Sequence, residues 1–137
     1  LLVLAGVAEN ASEDGHIFGN PTGPRLWFGC LDDLWKLGRP RGEGGPWYNT
    51  PVTPGQPSDP YLMTVYVRKT LELSHYAPEA VRFTVEVDFD HTGFWRYAEF
   101  EVPPGQAFRH DFGNFQAHWV RFRCDKACRA TARLSYD

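Results

Sequence analysis

Val81-Arg82-Phe83-Thr84-Val85-Glu86-Val87-Asp88-Phe89 decides the fold: every odd position is apolar, and every even one is charged or hydroxylated. A side-chain period of two is what a strand with one face in a core and the other in water requires. Asp90-His91-Thr92-Gly93 then supplies turn chemistry, and Phe94 to Val102 alternates again. Ala80–Val102 therefore reads as a hairpin. An even-numbered loop pairs Phe89 with Phe94, Val85 with Ala98, Phe83 with Phe100 and Val81 with Val102 on the inner face. The same register sets Asp88 against Trp95, Glu86 against Tyr97 and Arg82 against Glu101 on the outer face. Arg96 alone disagrees, falling opposite Val87 on the inner set. It either snorkels outward near the hairpin end or is re-aimed by a bulge.

The C-terminal stretch has the same pattern. Pairing Cys124 with Cys128 across Asp125-Lys126-Ala127 aligns Phe122 with Ala130, Val120 with Ala132 and His118 with Leu134 inward. Trp119, Arg121 and Arg123 then face outward beside Arg129, Thr131 and Arg133. Between the two hairpins, Pro103-Pro104-Gly105 turns toward a short strand from Ala107 to Phe112. Before the central hairpin, Thr64–Val67 and Thr70–His75 read as strands with Val65, Val67, Leu71 and Leu73 inward, and Ala77-Pro78-Glu79 turns.

The N-terminal third is less regular. Leu1 to Ala8 is apolar without alternation, as in a strand buried on both faces. Glu9–Gly15 reads as a loop, His16–Phe18 and Arg25–Gly29 as short strands, and Asn20–Pro24 as the turn between them. Leu31-Asp32-Asp33-Leu34-Trp35-Lys36-Leu37 has helical spacing that Gly38 would end. Gly38–Pro60 holds eleven Gly or Pro in its 23 residues and no period, which predicts an ordered surface wrap pinned by Trp47, Tyr48, Tyr61 and Leu62. Many short alternating strands separated by turn signals make the chain all-β. The expected fold is an antiparallel sandwich, jelly-roll-like, forming one domain over residues 1–137.

Composition narrows the function. At 137 residues with 15% aromatic and 23% charged side chains, the chain can bury a core. A net charge of −3 speaks against a nucleic-acid binder, and no apolar run reaches the ~18 residues of a membrane span. Leu1–Ala8 lacks a charged flank and the chain does not begin with Met, so it reads as processed or excised from something longer. Three cysteines match no zinc spacing. Cys124 and Cys128 are candidates for a disulfide, which would imply an oxidising compartment, with Cys30 as the odd thiol or a competing partner. Asn10-Ala11-Ser12 is a glycosylation sequon.

Catalytic signals are lacking: there is no G-x-S-x-G, H-E-x-x-H, P-loop or dinucleotide fingerprint. The five histidines are scattered, and His75 and His118 read as core or edge residues. Asp32 and Asp33 point apart on a helix and serve its start. Asp88, Asp90 and His91 read as turn chemistry in preference to a calcium site. The chain is thus expected to be no enzyme and to use no cofactor or metal. The outward aromatics carry more. Trp95, Tyr97, Trp119 and Arg121 are candidates for stacking on and hydrogen-bonding a glycan; the alternative is packing under the Gly/Pro segment. Arg121, Arg123, Arg129 and Arg133 would form one basic face and Glu86, Asp88, Glu99 and Glu101 an acidic one, unless the hairpins adjoin and the charges pair.

Three stretches also resemble a known domain. They are Leu26-Trp27-Phe28-Gly29-Cys30-Leu31-Asp32-Asp33-Leu34-Trp35-Lys36-Leu37-Gly38-Arg39-Pro40, Gly44-Gly45-Pro46-Trp47 and Pro57-Ser58-Asp59-Pro60-Tyr61-Leu62-Met63. They are similar to a C-terminal β-rich domain of large secreted bacterial proteins, often found after a sialidase-like β-propeller. The similarity runs from about Leu2 to the end, through Trp119-Val120-Arg121 and Asp125-Lys126. It brings no activity or catalytic residue, and Cys30, Cys124 and the lack of a propeller depart from it. The resemblance implies an extracellular or cell-surface accessory module. Two functions compete: an assembly unit joined to other copies or to a larger extracellular protein through Leu1, Leu2, Val3 and Leu4, and a carbohydrate-binding module.

Overall fold

The computed structural model describes residues 1–7, 11, 15–20 and 22–137; the sequon residue Asn10 and the end of the Leu1–Ala8 run lie outside the described residues. Its strands are β1 (Leu2–Leu4), β2 (Ile17–Gly19), β3 (Arg25–Gly29), β4 (Gly42–Val52), β5 (Tyr61–Leu62), β6 (Lys69–His75), β7 (Val81–Asp88), β8 (Trp95–Val102), β9 (Phe108–Asp111), β10 (Trp119–Cys124) and β11 (Cys128–Tyr136). One 3₁₀ helix spans Leu31–Leu37. The protein is all-β, as the alternation requires. Where length alone suggests one domain, the chain divides into two compact units, Leu1–Arg39 and Pro40–Asp137.

The larger unit is a sandwich of two four-stranded antiparallel sheets, β5-β10-β7-β8 and β4-β11-β6-β9. The chain changes sheet at every connection from β4 to β11 except the β7–β8 hairpin, which is the winding of a jelly roll. Val81, Phe83 and Val85 of β7, Val120 and Phe122 of β10, Leu71 and Leu73 of β6, and Ala130, Ala132 and Leu134 of β11 are all fully buried. They form one core between the sheets. Each large side chain there contributes up to about 1.5–3 kcal/mol by transfer from water.

The central hairpin keeps the expected register from Val81↔Val102 to Val85↔Ala98, then shifts so that Glu86 meets Arg96 and Val87 meets Trp95. Tyr97 is the extra residue of a β-bulge. The bulge resolves the conflict at Arg96, which moves to the outer face and pairs with Glu99 at 3.3 Å. Its cost falls on the other assignments. Tyr97 turns inward onto Phe112 and Phe115, and its hydroxyl hydrogen-bonds His110 Nε2 at 3.0 Å. Burial raises the Tyr97 pKa and lowers that of His110. Pairing stops before Phe89, which is 48% exposed, while Asp88 is buried. Asp88 Oδ1 accepts the N–H groups of Asp90 and His91, and Asp90 Oδ1 accepts the Thr92 hydroxyl, so these carboxylates build the turn.

The C-terminal pair is a corner and no hairpin. Its inward set is as expected except at His118, but β10 pairs with β7 and β5 while β11 pairs with β6 and β4 in the other sheet. His118 lies outside β10 and is exposed. The predicted wrap is in part a strand: β4 pairs along β11 from Val52↔Cys128 to Gly42↔Tyr136 with two register shifts. Gly45 lies so close to β11 that a Cβ there would overlap the Ala132 carbonyl. Thr64–Val67 forms no strand; Val65 sits at φ 70° in a turn, and Val65 and Val67 are exposed.

In the smaller unit, β1-β3-β2 form a three-stranded antiparallel sheet. Leu2–Leu4 is thus an edge strand paired within its own chain, and it is not buried on both faces: Leu1, Val3 and Leu4 are exposed. Gly38, at φ 85°, ends the 3₁₀ helix as expected. Asp33 serves that helix's start. Its Oδ2 accepts the Cys30 N–H and thiol at 2.9 and 3.0 Å, and its Oδ1 accepts from Lys36. These donors hold its carboxyl well below the usual carboxylate range, the Cys30 backbone N–H foremost.

Candidate functional site

The structure takes the proposed glycan platform apart. Tyr97 faces the core, and the shifted register puts Trp95, 66% exposed, across from the inward Val87. Trp119 lies beside Asp88 with its indole N–H donated to His91 Nδ1 at 3.1 Å. Arg121 is committed as well, its guanidinium 3.9 Å above the Phe94 ring and bonded to Glu86. No shared flat face remains to these four side chains.

The basic face disperses in the same way. Arg121 and Arg123 on β10 both donate to Glu86 of the neighbouring β7, the pairing expected if the strands adjoin. Arg129 and Arg133 belong to the opposite sheet, where they bind Asn49 and Glu43. Cys124 and Cys128 are free thiols, as is the exposed Cys30. Burial, with Cys128 alongside, pushes the Cys124 thiol up to about 11, which suppresses its thiolate. His75 is a satisfied core histidine: Nδ1 accepts the Ala77 N–H at 3.0 Å and Nε2 donates to the Val102 carbonyl at 2.8 Å.

What remains uncommitted is the face of the N-terminal sheet that the sequence did not single out. Strand partners share a face, and the pairs Val3↔Phe28 and Phe18↔Leu26 place four apolar side chains together. Val3 is 50%, Phe18 57% and Leu26 38% exposed. Phe18 and Phe28 meet edge to face at 5.4 Å beside an open apolar depression of about 370 Å³. The other face holds the buried Trp27, stacked on His16 at 5.3 Å. The Trp27 indole N–H has no acceptor among the described residues. The only sequence hint of the apolar face is the spacing of Phe18, Leu26 and Phe28 within strands too short to show a period.

The outer strands of the two kinds of sheet differ in protection. Open strand edges invite pairing with other chains unless shortness, proline, charge or bulges blunt them. In the jelly roll, β5 has two residues and β9 has four, with Arg109 and Asp111. β8 carries the bulge and Arg96, Glu99 and Glu101, while β4 carries Pro46, Pro51 and two register shifts. The edge strands β1, Leu-Val-Leu, and β2, Ile-Phe-Gly, carry none of these guards beyond their three-residue length. The fold and surface thus define an antiparallel β-sandwich protein with an appended apolar sheet. No protein-family profile, curated protein or solved structure matches the chain.

Proposed function

We propose that the chain is a non-catalytic β-sandwich module of an extracellular assembly, and that its N-terminal sheet is the surface that joins neighbours. The observation that carries this reading is the Val3-Phe18-Leu26-Phe28 face, exposed at all but the half-buried Phe28 and bounded by two apolar strands guarded only by their shortness, on a chain whose other edge strands are blunted. Isolated exposed apolar residues are ordinary, whereas a contiguous set on one sheet face marks an interaction site. Because Leu2–Leu4 already pairs with β3, a neighbour joins at the free edge of β1 or β2, or packs on the face. The extracellular setting rests on the resemblance of the Leu26–Pro40 stretch. Jelly rolls serve capsid and lectin domains alike, so the fold does not choose between assembly and glycan binding.

Sedimentation velocity on the full chain tests the proposal. The wild type associates with rising concentration, and Phe18→Lys with Leu26→Glu returns it to monomer without altering its far-UV circular dichroism. Tyr48→Lys, on the 78% exposed Tyr48 of the jelly roll, leaves association unchanged. A wild type that stays monomeric throughout, or association that survives the double substitution, refutes the reading.

A further inference from the structure

We propose that the notch at the end of β6, walled by Ser74, Tyr76, Gln106 and Ala107, binds a neutral saccharide. The notch arises from unequal strand lengths. β9 pairs with β6 only from Asp111↔Thr70 to Phe108↔Leu73, so Ser74 and His75 run past its end. The turn after β8 spans the gap, with Gly105 at φ 70° and the Gln106 N–H donated to the Pro103 carbonyl at 3.3 Å. The resulting cavity is about 380 Å³, within the range of small-ligand sites.

Its walls specify the ligand. Among the described residues, none that lines it carries a carboxylate, ammonium or guanidinium, so none of them offsets the desolvation of a charged ligand. His75 forms part of the lining, but its ring proton is fixed on Nε2 and its Nδ1 lone pair is used by Ala77, which leaves no base for chemistry. Ser74 and Gln106 offer a hydroxyl and an amide, which both donate and accept. Beside them Tyr76 is 77% exposed, although its backbone N–H is pinned to the Arg129 carbonyl at 3.0 Å. A flat apolar ring held next to neutral hydrogen-bonding groups complements a sugar, which presents a C–H face and a rim of hydroxyls. This site shares no residue with the dispersed outward aromatics.

The test is a titration of the isotope-labelled full chain by heteronuclear NMR. The probes are oligosaccharides of glucose, galactose, mannose and N-acetylglucosamine, with a galacturonate oligomer as the charged counterpart. At least one neutral sugar is expected to shift the amides of Ser74, Tyr76, Gln106 and Ala107 in a saturable way. Tyr76→Ala weakens that binding about tenfold, the loss expected on removing an aromatic anchor. Tyr76→Phe keeps it within about twofold, because stacking needs the ring and not the hydroxyl. The proposal is overturned if no probe shifts these amides, if the galacturonate oligomer binds more tightly than every neutral sugar, if Tyr76→Ala binds as well as the wild type, or if Tyr76→Phe loses as much as Tyr76→Ala.

Discussion

Three glycines of β4 give a graded test of the way this strand docks. At Gly42 an added Cβ meets nothing within 4 Å. At Gly44 it would overlap the hydroxyl of Tyr61, the far end of a side chain that can swing away. At Gly45 it would overlap the Ala132 carbonyl and lie 2.9 Å from Arg133 Cα, both main-chain atoms of the central strand β11. Gly42→Ala is therefore expected to be neutral or to stabilise by up to about 1 kcal/mol through the unfolded chain. Gly44→Ala costs about 1–2 kcal/mol, the lower part of the overpacking range, because Tyr61 absorbs the strain. Gly45→Ala has no such outlet, so β4 must lift from β11 between Gly42 and Trp47. The cost is about 3 kcal/mol, limited by the ~3–5 kcal/mol that full loss of the Trp47 side chain would bring. Denaturant unfolding followed by tryptophan fluorescence measures the series, and the Gly45→Ala midpoint in a thermal scan falls by roughly 10 °C. If Gly45→Ala is as stable as the wild type, or Gly42→Ala is the worst of the three, β4 does not lie on β11 as described.

Other consequences concern charge and thiols. Glu86→Ala leaves Arg121 and Arg123 without their half-buried carboxylate and costs about 1–2 kcal/mol, read from the same unfolding curves. With a colorimetric disulfide reagent at mildly alkaline pH, the exposed Cys30 reacts promptly, while Cys124, its thiol raised to about 11, reacts only on unfolding; equal rates would contradict its burial. Burial raises the pKa of Tyr136, whose hydroxyl donates to the Leu62 carbonyl. The unfolded chain then loses this proton first, so the contribution to stability is full below the ordinary tyrosine value near ~10 and drains away above it. Tyr136→Phe should lower stability at neutral pH by about 1 kcal/mol and flatten the alkaline decline, measurable as unfolding free energy against pH.

How much of this was legible depends on what each pattern encodes. Alternation reports which face of a strand points inward, and the apolar residues it sets inward on β7, β10 and β11 are buried from Val81 to Val87, from Val120 to Cys124 and from Ala130 to Leu134, with Asp88 and His118 as the exceptions. It does not name the partner strand. Cys124–Cys128 therefore reads equally well as a hairpin end and as the corner between two sheets that it is. Arg96 was a true sign of irregularity, and the Tyr97 bulge answers it while withdrawing Tyr97 from the outer face. β4 was hidden because its two register shifts break the period of two and its glycines and prolines imitate a loop. Leu1–Ala8 misled in the other direction, since a run without polar residues describes an uncovered apolar strand as well as a doubly buried one. The apolar face formed by Phe18, Leu26 and Phe28 appears only once the β1-β3-β2 pairing brings separate short strands together. The notch beside Tyr76 depends on where β9 ends, which no local pattern encodes.

Amide hydrogen exchange of the full chain across a dilution series shows whether the N-terminal sheet is where neighbouring molecules join. Protection in Leu2–Leu4, Ile17–Gly19 and Arg25–Gly29 is expected to grow with protein concentration, with the edge strands of the jelly roll unchanged. Exchange in those three segments that stays constant over the series, or new protection confined to Gly42–Val52 or Trp95–Val102, would contradict it.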